Sequence, residues 1–137
     1  MEAVISFLPI LFIVLIGCGF AYCYIGGKIR APIEAGLKPI FEEQAGGRFD
    51  EFNLTVPFVR HSIYEEFVVI SYGNTKYILN FSEITKVTYT KYVLSKCLIY
   101  RHNNRVGLPV ECIVWSGNCL KAIEALGSRG VTIQRYA

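Results

Sequence analysis

The chain has 137 residues, 53% of them hydrophobic, and 14 Lys and Arg against 11 Asp and Glu give it a net charge of +3. That length holds one domain, and so modest a positive balance lacks the dense basic stripe of a nucleic-acid binder, so no nucleic-acid partner is expected. All 14 basic residues follow Gly27 and Glu2 is the only charge before it, so the first quarter is not composed like a globular domain.

The 22 residues from Val4 to Ile25 carry no charge. Coiled as an α-helix they reach roughly 33 Å, enough for a hydrocarbon core of about 30 Å. Residues 1–27 are therefore read as a transmembrane helix, with Pro9 near its start and Tyr22 and Tyr24 at the far end, where aromatic rings favour the interface. Lys28 and Arg30 follow at once, and the positive-inside rule places that end in the cytoplasm and the N-terminus outside. A cleaved signal peptide would open on basic residues and carry a shorter apolar run, whereas Glu2 stands here. Leu15-Ile16-Gly17-Cys18 resembles a bacterial lipoprotein cleavage box with Cys18 as the lipidated residue, but seven more apolar positions follow it. Gly17 and Ala21 form a small-x-x-x-small pair, a candidate face for self-association in the membrane.

Gly26-Gly27 reads as a flexible joint. Beyond it Ile33, Leu37, Ile40 and Phe41 share one helical face, Pro32 suits a helix start, Pro39 a kink and Gly46-Gly47 an end. Residues 28–47 are thus expected to form a juxtamembrane helical linker, its apolar face on the soluble domain or on lipid headgroups.

Residues 48–137 switch to strand patterning. A strand over 52–60 contains Pro57, which marks an edge or an irregularity. Strands over 67–72 and 76–81 flank the hairpin turn Gly73-Asn74. Strands over 84–93 and 96–102 meet near Leu94-Ser95, and a last clear strand covers 108–115 after Asn103-Asn104. The period then becomes helical, from a Ser116 cap through Leu120, Ile123 and Leu126 to Gly127 or Gly130, with a short strand over 131–136. The expected class is α+β: a transmembrane helix, then a small antiparallel sheet or partial barrel closed by a C-terminal helix.

This meander, with its segment YILNFSEITKV and the closing ALGSRGVTI, resembles the bacterial pleckstrin-homology-like domains over roughly residues 52–135. The resemblance implies a PH-like fold beside a membrane helix. It brings no functional motif and so no site residues.

The search for chemistry is short. His61 and His102 are the only histidines and belong to no metal motif; His102, beside a turn, reads as a surface residue, and no metal or cofactor is expected. The turns GNT and GSRG are too short for a phosphate loop, and WSGN lacks the pattern of a nucleophile elbow. Glu42-Glu43 and Glu65-Glu66 are adjacent, and neighbours on a strand face opposite ways, so neither pair is an acid–base couple. Cys97, Cys112 and Cys119 have neither disulfide nor metal-knuckle spacing and read as reduced, packed thiols; a thiol-based enzyme or redox sensor built on one of them is the alternative. Between Glu83 and Glu111 no acid interrupts Lys86, Lys91, Lys96, Arg101 and Arg105. Lys91 and Lys96 flank a hairpin tip and are candidate contacts for anionic lipid, although strand lysines also solvate a face and guard an edge. The expected function is a non-catalytic, membrane-tethered interaction module that binds a membrane protein, its own copies or lipid headgroups.

Overall fold

A computed structural model describes residues 2–104 and 106–136, so Arg105 of the basic run lies outside the described residues. The first element is α1 (Glu2–Lys28), a single helix that carries Pro9 within it. Its stretch Phe7–Lys28 has a mean hydropathy of 2.3 over its most apolar window, which is not buried by the rest of the chain. By length and composition this helix is sufficient to cross a membrane.

The helical linker expected over 28–47 does not form. The chain makes one 3-10 turn (Pro32–Glu34), passes Gly36 at φ +74° and Pro39, and enters strand β1 (Phe41–Phe49). Two helix breakers interrupt the apolar period, and pairing decides the rest. The first half of β1 is hydrogen-bonded to β2 (Phe52–Ile63), from Phe41 opposite Ile63 to Ala45 opposite Val59. Partnership along a sheet thus outweighs the weak strand propensity of FEEQAGGRF.

The remaining strands are β3 (Phe67–Tyr72), β4 (Thr75–Asn80), β5 (Ile84–Tyr92), β6 (Ser95–His102) and β7 (Glu111–Trp115), followed by α2 (Cys119–Gly127) and β8 (Ile133–Arg135). They build one open eight-stranded sheet in the order β4-β3-β2-β1-β7-β6-β5-β8. The class is α+β, as the patterning implied. The sheet is mixed, not purely antiparallel, because β8 reaches β5 through α2 and so arrives parallel to it.

Strand β1 is the seam. Ala45 pairs with Val59 but Gly47 pairs with Leu54, so residues 55–58 of β2 loop out beside Gly46. From Gly46 to Phe49 the other edge of β1 takes up β7, with Gly46 opposite Trp115. A Cβ at Gly46 would lie 2.7 Å from the Leu54 carbonyl oxygen and 2.8 Å from Cε3 of Trp115, so only glycine fits the seam. The bulge contains Pro57, joined to Val56 by a cis peptide bond.

The core lies on one side of this sheet, where Val59, Ile63, Val68, Ile70, Leu98 and Val114 meet α2. The helix buries Cys119, Ala122, Ile123, Ala125 and Leu126, while Leu120 points outward with 59% of its surface exposed. Helical spacing alone put Leu120 on the core face. The helix begins later than expected, with Asn118 in the cap position and the Ser116 hydroxyl accepting from its N–H at 3.0 Å. The buried face centres on Cys119, Ala122, Ile123 and Leu126, and at roughly 100° per residue Leu120 lies about 120° from that centre, toward solvent. Leu126→Ala is expected to cost about 2–5 kcal/mol of unfolding free energy and Leu120→Ala within about 0.5 kcal/mol, measured by denaturant titration of both variants in detergent.

Candidate functional site

The feature that stands out is the place where α1 meets the sheet. Gly26 and Gly27 are buried in the last turn of α1. A Cβ on Gly26 would fall 2.6 Å from the Gly73 carbonyl oxygen, and one on Gly27 would fall 3.1 Å from that of Ser71. The Gly73 N–H donates to the Cys23 carbonyl at 3.1 Å. The glycine pair is therefore a close-approach surface that fuses helix to sheet, not the flexible joint its composition suggests.

The last carbonyls of a helix have no partner within it. Here the sheet supplies the donors. Arg60 Nε donates to the Gly27 carbonyl at 2.7 Å, Ser71 Oγ donates to the same oxygen at 2.6 Å, and Lys76 Nζ donates to the Gly26 carbonyl at 3.1 Å. Two of the three donors are cations, the sign that the C-terminal end of a helix dipole favours. About two turns further in, the Phe20 ring stacks on Phe58 with centroids 4.9 Å apart and planes 10° from parallel.

Arg60 is 1% exposed, and burying a guanidinium requires a paired anion. Glu34, equally buried, provides it: both carboxylate oxygens accept from the guanidinium, and the same carboxylate accepts from the Tyr64 hydroxyl at 2.7 Å and from the Ala31 N–H. Arg30 extends the network outward to Glu42 at 3.0 and 3.2 Å and to Tyr64 at 2.7 Å. Burial alone would raise the pKa of Glu34, but hydrogen bonds from Arg60, Tyr64 and Ala31 hold it below the usual carboxylate range. Glu42 is lowered in the same way, burial being outweighed by the Ser62 hydroxyl and Arg30.

Breaking this pair from one side leaves an uncompensated buried charge. Glu34→Gln and Arg60→Met are each expected to lower unfolding free energy by about 3–5 kcal/mol, and the double variant by less than the sum. A lowered carboxylate pKa stabilises the fold above the unfolded-state value near 4.5, and that gain is lost as pH falls through the folded-state value. Thermal unfolding followed from pH 7 into the acid range should therefore show a shallower decline for Glu34→Gln than for the parent.

A second buried network runs through the core. His61 is fully buried. Its Nδ1 lies 3.1 Å from Glu43 Oε1 and its Nε2 lies 2.6 Å from the Tyr100 hydroxyl. Burial pushes the Glu43 pKa up, but the His61 hydrogen bond brings it below the usual range; burial drives the Tyr100 phenol well above its ordinary value. An ionised carboxylate only accepts, so Nδ1 donates to Glu43, while the Tyr100 hydroxyl can donate to or accept from Nε2. The order of carboxylate, imidazole and hydroxyl matches that of a hydrolytic triad, yet the hydroxyl at its end is 0% exposed and closed to any substrate. The chain of bonds instead cross-links β1, β2 and β6.

The three cysteines of the sheet domain are also buried. Burial pushes the Cys97 thiol up to about 11 and Cys112 up to about 12, and Cys119 is raised by burial despite its hydrogen bonding with Ser116. Thiols so shifted are protonated at neutral pH and poor nucleophiles. Maleimide at pH 7 is expected to leave all three unmodified in the folded protein and to label them after denaturation, as read by mass spectrometry. Among the described residues no three His, Cys, Asp or Glu side chains gather as a metal site would need.

Lys91 and Lys96 face each other across the β5–β6 ladder, one pair below its two-residue turn. The turn itself is apolar and open, Val93 being 77% and Leu94 89% exposed. A shallow groove of about 610 Å³ runs from this turn past Ser95 and Trp115 to Thr55 and Val56 of the β2 bulge. Gly17 and Ala21 lie on the part of α1 that the sheet leaves uncovered, and a Cβ at Gly17 would meet nothing within 4 Å.

Sequence reasoning singled out the two lysines and the small pair as candidates and missed Arg60, Glu34 and the role of Gly26. A charged residue in the otherwise strand-like run FVRHSI was the available signal. Its partner lies 26 residues away, where no spacing rule reaches. No protein-family model matches this chain, and no curated protein matches its sequence.

Proposed function

We propose that this chain is a membrane-anchored, non-catalytic interaction module, in which α1 spans the bilayer and the sheet domain presents a binding surface on its cytoplasmic side. The observation that carries this reading is the joint. A leader destined for removal has no use for glycines that interlock with the folded domain, yet Gly26 and Gly27 are buried against β3 and capped by Arg60, Ser71 and Lys76. The apolar stretch before them fits a hydrocarbon core in length and lacks charge. Lys28 and Arg30 at its end favour the cytoplasmic side for the domain. The buried thiols and the closed hydroxyl of Tyr100 weigh against catalysis, and the strand meander with its closing helix keeps a PH-like relationship as the fold-level analogue.

Membranes from cells that express the full chain provide the test. The expected result is that the protein stays in the pellet after alkaline carbonate washing, and that protease digests the sheet domain in inverted vesicles but not in intact cells. Release by carbonate would overturn the anchor. Digestion from outside would overturn the orientation, and a mature mass that begins at a lipid-modified Cys18 would replace both with a lipoprotein.

A further inference from the structure

The direction in which α1 leaves the sheet identifies the surface that meets the bilayer. Toward its N-terminus the helix passes Ser71 and Tyr72 with Gly27, then Gly73 with Gly26 and Tyr22, and so runs out past the β3–β4 turn. Strand β2 lies antiparallel beside β3, with Arg60 opposite Ser71, so the same direction leads down β2 from Arg60 to Phe58 and on to Pro57 and Val56. Phe58 already stacks on Phe20. Phe20 lies five residues inside Ile25, the last residue of the uncharged stretch, which is roughly 7–8 Å at 1.5 Å per residue. The β2 bulge therefore stands at the depth where headgroups give way to acyl chains.

The β5–β6 turn belongs to the same surface, since Val93 and Leu94 line a groove with Val56. Val56 is 57% exposed, and together with Val93 and Leu94 it forms an apolar patch that no described side chain covers. The turn carries this patch at a cost. Val93 sits at φ +56°, a left-handed conformation that glycine or asparagine takes up readily and a β-branched residue does not. Lys91 and Lys96 stand directly behind the apolar tip, the placement that puts cations level with lipid phosphates when a tip dips below them.

We propose that the Val56–Pro57 bulge and the Val93–Leu94 turn insert together into the interfacial layer of the membrane that α1 spans, with Lys91 and Lys96 on the phosphates of anionic lipid. The occupant of the patch is thus the lipid surface itself. This inference rests on the anchored reading above, because it needs α1 in the bilayer. It makes the domain's contact with the membrane a platform of three points, the helix, the bulge and the turn.

The test uses the full chain with Cys18→Ser and Cys23→Ser, reconstituted in vesicles of phosphatidylcholine with phosphatidylglycerol. A nitroxide is attached to one introduced cysteine at a time, by Val56→Cys, Leu94→Cys or Glu66→Cys, the last at the opposite end of the β2–β3 hairpin. The expected result is that labels at 56 and 94 collide more with oxygen than with a water-soluble nickel chelate, and that the label at 66 does the reverse. Lys91→Glu with Lys96→Glu should reduce the lipid contact at 94 in anionic vesicles and leave it unchanged in phosphatidylcholine alone. Val93→Gly relieves the strained turn while it removes an inserting side chain, so it should raise the thermal midpoint in detergent yet lower lipid contact at 94.

Water exposure at 94 equal to that at 66 overturns the proposal, even with α1 still resistant to carbonate. Shielding of 94 from both reagents, with spin–spin broadening that grows with protein density, overturns it in favour of a second copy on the patch. Loss of carbonate resistance instead marks failure of the anchored reading itself.

Discussion

The structure depends on a guanidinium that has no access to water. Arg60 sits in the middle of β2 with its long side chain buried, and a charge in that position is tolerated only if every donor finds an acceptor. Only one acceptor, the hydroxyl of Ser62, lies in the sheet. The others are the carboxylate of Glu34 and the Gly27 carbonyl in the last turn of α1, so one residue obliges the apolar helix, the 3-10 turn and the strand to assemble in a single arrangement. The glycines at 26 and 27 follow from the same demand, because the helix must come within hydrogen-bonding reach of a pleated surface. Any side chain at Gly26 would hold it off.

This arrangement gives the sheet two faces with different coverings. One face holds the apolar core under α2. On the other, Tyr64, Phe67 and Val69 form a smaller apolar cluster beside the charged joint. The His61 chain of hydrogen bonds belongs to the first face and Arg60 to the second, although the two are adjacent in sequence, since neighbours on a strand point in opposite directions. Both residues are polar groups buried at stability cost, and both serve geometry: His61 cross-links three strands, and Arg60 ties the apolar helix and the 3-10 turn to β2.

Much of the fold was legible because turns announce themselves. Gly73-Asn74 and the alternation on either side placed β3 and β4 almost to the residue, and Pro57 flagged the irregularity in β2 where the ladder breaks. What could not be read was decided by partners distant in sequence. Phe41 falls in helical register with Ile33 and Leu37, and only the edge of β2, where it pairs with Ile63, makes it the start of a strand. The burial of His61 could not be read because its partners Glu43 and Tyr100 are 18 and 39 residues away. Gly26 and Gly27 looked like slack because composition reports the freedom of a glycine and not the neighbour that requires it. The basic pair Lys91 and Lys96 was a candidate from sequence, whereas the apolar bulge on the same groove as its turn needed the tertiary fold.

The continuity of α1 into the joint has a mechanical corollary. A helix that turns without a break into an interlocked contact transmits its own azimuth, so rotating the buried end about its axis must rotate the sheet by the same angle. Gly17 and Ala21 project from that axis at a fixed bearing relative to Phe20 and hence to the strands beneath it. Were two such helices to pair along their small-residue flank, their sheets would have no latitude in how they confront each other. A choice made among acyl chains would then appear outside them as a defined angle between two domains.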